Sequence, residues 1–524
     1  MKYILREVSN RTLSGDVDFK SVIANKLNIK QTDILDFEIL RKSLDARKKQ
    51  DIAYKYSFLL DLPESIASRL ITSKKIDNYV HKKLEPVVIG DNKLDGKVVI
   101  VGAGPAGLFC AHTLTKMGYK VLLIERGKKI DERSEDVKNL HKTGTLDENS
   151  NVCFGEGGAG TFSDGKLTTR IKDLRAKSVL ETFLRCGARE SILFEAKPHL
   201  GTDGMQKIIK RVSAEIIEQG GEMIFGAKLN DISIDSETIT AIQYEKDGIN
   251  ISVKANAVVL ATGHSAKDVF RMVHHKNIYV EKKATAIGLR VEHKREWIDT
   301  HQYGEKKDEL GAAEYAMTAK HNGRGIYTFC MCPGGVVVCS ASDAGHLCVN
   351  GMSYAQRQMK HSNAAVVVNV LPEDVADHPL GMLDFIDEIE GKAYIENFVA
   401  PTQRVIDYIA DRKSEKFDIK PTYSCGVRKA NLNELLPDFI NESLKVGLKS
   451  FDTKMKGFIK NGVLTGVETR TSSPVRIKRD ETFQSINTKG LFPAGEGAGY
   501  AGGIISAAVD GIKVAEKVAE KFAK

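Results

Sequence analysis

Hydrophobic positions along the chain recur with two periods, and the order of the two predicts the architecture. Near the start, Tyr3 to Val8 reads as extended, Phe19 to Leu27 as helical, and Ile34 to Leu40 and Ile52 to Leu60 as extended again. That is a βαββ pattern, with the charged segment Asp45 to Asp51 suited to an exposed hairpin end. A polar, lysine-bearing stretch follows. Val98 to Val101 is then wholly apolar, a glycine turn leads into a helix from Ala106 to about Met117, and a second strand runs from Lys120 to Ile124. Strand, helix and strand in this order form a βαβ unit with a buried parallel sheet. Farther on, Ala284 to Val291, Ile326 to Cys332, Val336 to Ser340 and Ala364 to Val370 predict a mixed or antiparallel sheet, with Pro333-Gly-Gly335 as a hairpin turn. The chain closes with an apolar strand, a glycine cluster and a helix from Ile504 to Lys524.

Composition narrows the class. A chain of 524 residues with 42% apolar and 28% charged residues is globular and holds several domains, which excludes fibrous and disordered chains. The net charge of +8 is too dilute to argue for nucleic acid, which is not expected as a partner. Residues 1–90 carry 17 Lys and Arg against 12 Asp and Glu, so this module is a candidate docking face for a redox partner, set against the plainer reading of a solvated surface. The eight cysteines include no CxxC pair, and the opening Met-Lys-Tyr-Ile-Leu-Arg-Glu lacks the apolar core of a signal peptide. Val98 to Leu114 is the most apolar stretch and is broken by three glycines. The expectation is a cytoplasmic protein with no membrane span, no metal site and an oligomeric state left open.

The chemistry begins at Val98-Val-Ile-Val-Gly-Ala-Gly-Pro-Ala-Gly107. Gly102, Gly104 and Gly107 stand at GxGxxG spacing between strand and helix. The first glycine permits the turn, the second lets backbone amides approach a pyrophosphate, and the third lets helix and strand pack closely. Ala103, Pro105 and Ala106 complete the loop, whose amides meet an anion at the positive end of the helix. Glu125 ends the second strand, placed to accept hydrogen bonds from a ribose, and Arg126 is its neighbour.

Which dinucleotide is bound follows from the far end. Gly490-Leu-Phe-Pro-Ala-Gly-Glu-Gly-Ala-Gly-Tyr-Ala-Gly-Gly-Ile-Ile505 resembles the second FAD motif of the glutathione-reductase-like flavoproteins. The resemblance implies FAD held by Gly495 and Glu496, with the amides of Gly503 and Ile504 at a helix start beside the pyrimidine edge of the flavin. Glu496 stands where Asp is more usual, and Pro493 where Ala is common. Ala261-Thr-Gly263, ending the run from Val258, resembles the strand-end ATG motif of the same proteins. A second formal GxGxxG, Gly155, Gly157 and Gly160, has no apolar strand before it and is not read as a second nucleotide site. The resemblance makes it the loop beside the isoalloxazine, with Gly158, Ala159, Gly160 and Thr161 in close approach. Blocks such as Gly157 to Leu167, Lys197 to Asp203, Phe329 to Gly335 and Thr469 to Val475 are similar to those of an uncharacterised group of FAD-dependent dehydrogenases within that superfamily.

The fold class expected is therefore α/β: a Rossmann-like FAD-binding domain with an inserted mixed-sheet substrate domain, preceded by a small ferredoxin-like α+β module. The expected divisions are 1–90 for the module, 97–285 for the first part of the FAD domain, 286–420 for the substrate domain and 421–524 for the return. Candidate catalytic residues are Lys166, beside the flavin loop; His199, with Asp203 close enough in sequence for a mutual hold or for simple capping; and Arg357, as an anion binder or a surface helix arginine. Cys330-Met-Cys332 reads as buried small hydrophobes. These residues point to an FAD-dependent oxidoreductase moving hydride through flavin N5 to or from a small-molecule substrate, with NAD(P)H as a candidate transient electron donor. A monooxygenating or RNA-modifying flavoenzyme and a non-catalytic electron relay are the alternatives.

Overall fold

The computed structural model describes residues 2–524. The N-terminal module runs β1 (Lys2–Asn10), α1 (Phe19–Leu27), β2 (Asp36–Asp45), β3 (Ala53–Asp61), α2 (Glu64–Thr72) and β4 (Asp77–Asn78), in sheet order β2-β3-β1-β4. This is the ferredoxin-like arrangement, with one helix and one strand more than the hydrophobic pattern gave. The extra pieces are hard to read for a physical reason: α2 buries only Ala67 and Leu70, and β4 is two exposed residues long. Helix α1 starts where the Asp18 carboxylate accepts the Ser21 amide, and it ends at Asn28 in the left-handed conformation (φ 57°). It buries Ile23 and Leu27 against Tyr56, Phe58 and Leu60.

The central layer is a parallel sheet of five strands, in the order Leu491–Pro493, Val258–Leu260, β5 (Val98–Val101), β6 (Val121–Glu125), Glu222–Phe225. Helices cover one face, and an antiparallel three-stranded sheet (Lys228–Asp235, Thr238–Lys246, Ile249–Lys254) with the helix Lys267–His275 covers the other, so Val98, Val99 and Ile100 are fully buried, each contributing about 1.5–3 kcal/mol. Helix α3 (Pro105–Lys116) lies against the C-terminal helix Ile504–Lys521, which brings Gly511 so near that a Cβ there would meet the Ala106 carbonyl at 2.0 Å.

The second large sheet has seven strands, from Thr318–His321 at one edge through Arg324–Cys332, His361–Val370, Thr285–Lys294, Val463–Glu468 and Ala400–Arg404 to Val427–Lys429. One face packs Ile287, Leu289, Val366 and Val368 into the largest core, under the helix Asp438–Lys454. The sheet runs on to Glu468, so the chain returns to the parallel sheet only after that residue rather than at 420. Pro333-Gly-Gly335 does not make a hairpin: Val336–Cys339 pairs with Val349–Met352 in a separate ribbon, and the turn carries the chain from one sheet to another. No helix among the described residues is long and apolar enough to cross a membrane.

A buried ionic latch joins the two large sheets. Lys267, at the start of the helix Lys267–His275 beyond the parallel sheet, meets Glu390 at 2.9 Å and Asp387 at 2.6 Å on the helix Gly381–Ala393. Arg470, just past the last strand of the seven-stranded sheet, meets Glu390 at 2.8 Å, and Thr469 donates to it at 2.6 Å. Burial pushes the Glu390 carboxyl up, but the Arg470 and Lys267 charges outweigh it and hold its pKa at about 2. Truncating it leaves Arg470 with only Asp343, at 3.4 Å, among the described carboxylates, while Lys267 keeps Asp387. Glu390→Ala is expected to lose about 3–5 kcal/mol in urea unfolding, and a loss below about 1 kcal/mol would show that the latch carries no stability.

Candidate functional site

The turn from β5 into α3 shapes the site. Gly102 takes φ 105°, and a Cβ there would meet the Ala261 carbonyl at 2.4 Å; one on Gly107 would meet the Gly102 carbonyl at 1.9 Å. Both positions admit only glycine for reasons internal to the fold. Gly104 differs: its φ is −75°, and the nearest atom to an added Cβ is the Gly158 Cα at 4.0 Å. What Gly104 faces is a cavity of about 1550 Å³, including its open mouth.

Most residues singled out in the sequence meet on this cavity. Gly102, Gly104, Pro105, Ala106, Glu125, Arg126, Gly158, Ala159, Gly160, Lys166, Ala261, Thr262, Gly263, Glu496, Gly503 and Ile504 all line it. Six do not reach its surface. Ala103 is buried and donates its amide to Glu125, Gly107 packs α3 onto its own turn, and Thr161 lends its carbonyl to the Thr202 hydroxyl. Gly495 donates its amide to Asp510 at 2.7 Å. His199 and Arg357 also lie behind the wall.

Glu125 holds the loops together. Its Oε2 accepts the Ala103 amide at 2.7 Å, and its Oε1 accepts the amides of Gly127 and Gly155, both at 2.9 Å. One lone pair of Oε2 is left for a ribose hydroxyl. Arg126 is not solvated: it pairs with Asp268 at 2.8 Å and lies over the Phe154 ring. Arg133, absent from the sequence reading, is fully buried and donates four hydrogen bonds to the carbonyls of Asn151, Val152, Glu156 and Gly158 at 2.7–2.9 Å.

The three candidate catalytic residues form one network with one member on the cavity. The Lys166 ammonium bonds Asp164 at 2.5 Å and the Met331 carbonyl. Asp164 is gripped in turn by the Arg357 guanidinium and the Ser353 hydroxyl, and Arg357 meets Glu314 at 2.9 Å. Burial pulls the Lys166 pKa down, and the Asp164 carboxylate beside it acts the other way, so that it lies above its ordinary value. Arg357 is buried in a loop at φ 51°, neither on a helix nor on the surface, and its charge is already matched. His199 and Asp203 do not hold each other: the imidazole Nε2 lies 3.1 Å from the Ala355 carbonyl, and Asp203 accepts the Ala355 amide at 2.8 Å. The pair clamps one peptide two residues before Arg357.

The cysteine reading needs correction. The strand Arg324–Cys332 bulges after Phe329, Cys330 takes φ 40°, and its residue surface is exposed into the cavity, with Cys332 also on the wall. Arg290 binds the Cys330 carbonyl at 2.7 Å and Glu468 at 2.7 Å, which fixes the bulge. A period-two count cannot foresee this, because an inserted residue reverses the facing.

The cavity fits FAD. It joins two helix N-termini, at Gly104 and Gly503, neither capped by a side chain nor carrying an acidic residue in its first turn. The Glu496 side chain opens onto it and accepts no hydrogen bond from the described residues, leaving its carboxyl oxygens free for hydroxyl groups of a ligand. Residues 284–471 match the family described as "FAD-dependent protein, C-terminal domain-like", residues 100–144 the NAD(P)-binding Rossmann-like domain, and residues 9–60 a domain of unknown function. With the fold, these define an FAD-dependent flavoprotein of the oxidoreductase type. The chain is 44% identical over 531 aligned residues, 98% of each chain, to an uncharacterized protein of Clostridium beijerinckii, and it belongs to that protein's family. A thiamine thiazole synthase of Sulfolobus acidocaldarius is 25% identical over 219 residues, 40% of this chain and 69% of that one. Among solved structures, a flavoprotein/dehydrogenase from Cytophaga hutchinsonii aligns with 12% identity and a TM-score of 0.37, over 82% of this chain and 78% of that one.

Burial raises the Glu496 carboxyl from 4.5 to about 7, partly offset by Lys283. A raised value means the folded, FAD-free protein takes up this proton more readily than the unfolded chain. Glu496's contribution to stability is therefore full below 4.5 and lost as pH rises through about 7. Between about pH 5 and pH 8 the Tm of FAD-free Glu496→Gln is expected to fall less than that of wild type. Equal slopes would remove Glu496 as the titrating group.

Proposed function

We propose that the protein is an FAD-dependent dehydrogenase or reductase acting on a small-molecule substrate, with Lys166 as the proton-bearing group of its active site. The observation that carries this reading is a single cavity lined both by the glycine turn of α3 and by the half-buried Lys166, paired with Asp164. FAD, when bound, supplies two-electron hydride chemistry at flavin N5. The chain's own residues do the rest. The amides at the start of α3 hold the pyrophosphate, and Glu125 and Glu496 offer acceptors to hydroxyl groups. The uncapped start of the C-terminal helix favours negative charge beside it in the cavity. Lys166, oriented by Asp164 and the Met331 carbonyl, holds a proton at Nζ where a substrate oxygen or nitrogen can take it. Phe329, lining the same cavity, excludes water from it.

The glutathione-reductase-like reading of the Gly490 to Ile505 segment belongs to this proposal, as do NAD(P)H as a transient donor and residues 1–90 as a docking face. The test is anaerobic: the FAD-loaded protein is mixed with NADH or NADPH and its visible absorbance followed. Rapid bleaching is expected for a reductase, and bleaching only by reduced metabolites for a dehydrogenase. Lys166→Met should retain FAD and slow turnover by about 100-fold or more. A protein that retains FAD but is reduced by neither nicotinamides nor any metabolite contradicts the enzymatic reading.

A further inference from the structure

The N-terminal module looks remote from the cavity, yet a continuous path of main-chain hydrogen bonds connects the two. β2 is an edge strand of the module. Lys42 lies opposite Tyr56 of β3, but both of its main-chain groups turn outward. Its amide donates to the Phe194 carbonyl at 2.7 Å, and its carbonyl accepts the Ala196 amide at 2.8 Å. Residues 194–196 thus pair with the edge of the module's sheet through one parallel bridge, Lys42 to Glu195. Three residues on, the same segment pairs with the stretch that carries Lys166: the Leu167 amide donates to Pro198 at 2.9 Å, the Leu200 amide donates to Gly165 at 3.0 Å, and Lys166 and His199 face each other as an antiparallel bridge. Residues 194–200 are therefore a strap held on one side by the module and on the other by the residues flanking Lys166.

The side chains fix the strap to the same point. His199 and Asp203 clamp the Ala355 peptide, and a Cβ on Gly201 would meet the Ala355 amide nitrogen at 2.1 Å, so strap and loop are in direct backbone contact. That loop carries Arg357, which grips Asp164, the partner of Lys166. Main-chain and side-chain paths both end at Lys166. We propose that the N-terminal module is a positioning element for the active site: through the edge of β2 it holds the 194–200 strap, and through the strap it holds Lys166 in place. Whatever pulls the module away, a docking partner included, loosens Lys166 without touching the FAD-binding turns. The flavin readout below rests on the reading of Lys166 given above; the exchange readout does not.

The outward-facing amide makes the test clean. Proline is tolerated on a sheet edge where its missing N–H would have faced away from the neighbouring strand. Lys42→Pro removes the bond to Phe194 and leaves the β2–β3 ladder intact. Lys42→Ala keeps the amide and removes only the side chain, which lies over the Tyr54 ring. Amide hydrogen exchange and the visible flavin spectrum are measured on FAD-loaded, full-length protein. Lys42→Ala should match wild type. Lys42→Pro should speed exchange at Ala196 and also at Leu167 and Leu200 by about tenfold or more, and move the flavin spectrum toward that of Lys166→Met. Ala196→Pro, which removes the reciprocal bond from the strap side, should likewise speed exchange at Leu167 and Leu200 and move the flavin spectrum, and it serves if Lys42→Pro fails to fold. Fast exchange at residues 194–196 with Leu167 and Leu200 unchanged overturns the proposal. Fast exchange at Leu167 and Leu200 with an unmoved flavin spectrum upholds the coupling and removes Lys166 from the flavin chemistry.

Discussion

The site depends on satisfying the backbone of a buried loop that has almost no regular structure. Residues 151–160 run through the interior beside the first glycine turn, and their amides and carbonyls have neither a ladder nor free water to bond. An unpaired buried peptide group costs about 1–3 kcal/mol, so such a loop is unstable unless side chains replace the ladder. Two charges do so. Glu125 accepts three amides from three separate segments, and Arg133 donates to four carbonyls of the loop. A guanidinium can only donate, so Arg133 serves the loop's carbonyls; of the loop's amides Glu125 takes Gly155, while the Asn151 side chain takes Cys153 and Phe154. The two charges are spread over many polar contacts, which is how both tolerate full burial. Cys153, Phe154 and Gly158 to Gly160 of this loop form part of the cavity wall, together with the start of α3.

From that constraint the rest of the architecture gains its meaning. The parallel sheet brings Gly104 to the point where neighbouring strands diverge to either side of β5, a usual place for a ligand in such sheets. The seven-stranded sheet also borders the cavity, and the Lys267–Glu390–Arg470 latch fixes one sheet to the other. Small residues, Ala286, Ala365 and Val367, lie beneath Tyr327 and Phe329 on the sheet face away from its main core. Lys166 is held by the Asp164 carboxylate and the Met331 carbonyl, and it pairs with His199 across an antiparallel bridge.

Much of this is legible in the amino-acid sequence, and the reasons differ by element. The β5–α3 turn is readable because its glycines answer to steric demands that no other residue meets, and three strands of the seven-stranded sheet, Thr285–Lys294, Arg324–Cys332 and His361–Val370, because they are long and largely apolar. The C-terminal helix is readable because glycines stop just where it begins. Charged side chains are different. Nothing in the spacing of Arg133 or Glu390 separates a buried, saturated charge from a solvated one, since burial of a charge is decided by partners far away in the chain. Arg357 shows the same limit: it reads as a surface arginine and stands buried between two carboxylates. The exposed Cys330 escapes a period-two reading because the bulge reverses its facing, and the boundary at 420 is misplaced because the last strands of the sheet are short.

The central claim is that the cavity beside Gly104 is where FAD binds. Gly104 separates folding from binding, since its backbone is in an ordinary region and an added methyl group meets no protein atom closer than 4.0 Å. The measurement is a titration of FAD into FAD-free wild type and Gly104→Ala, with the Tm of each recorded before FAD is added. The account predicts equal Tm values and FAD binding weakened by about tenfold or more in the variant. Equal Tm values with unchanged FAD affinity would contradict it.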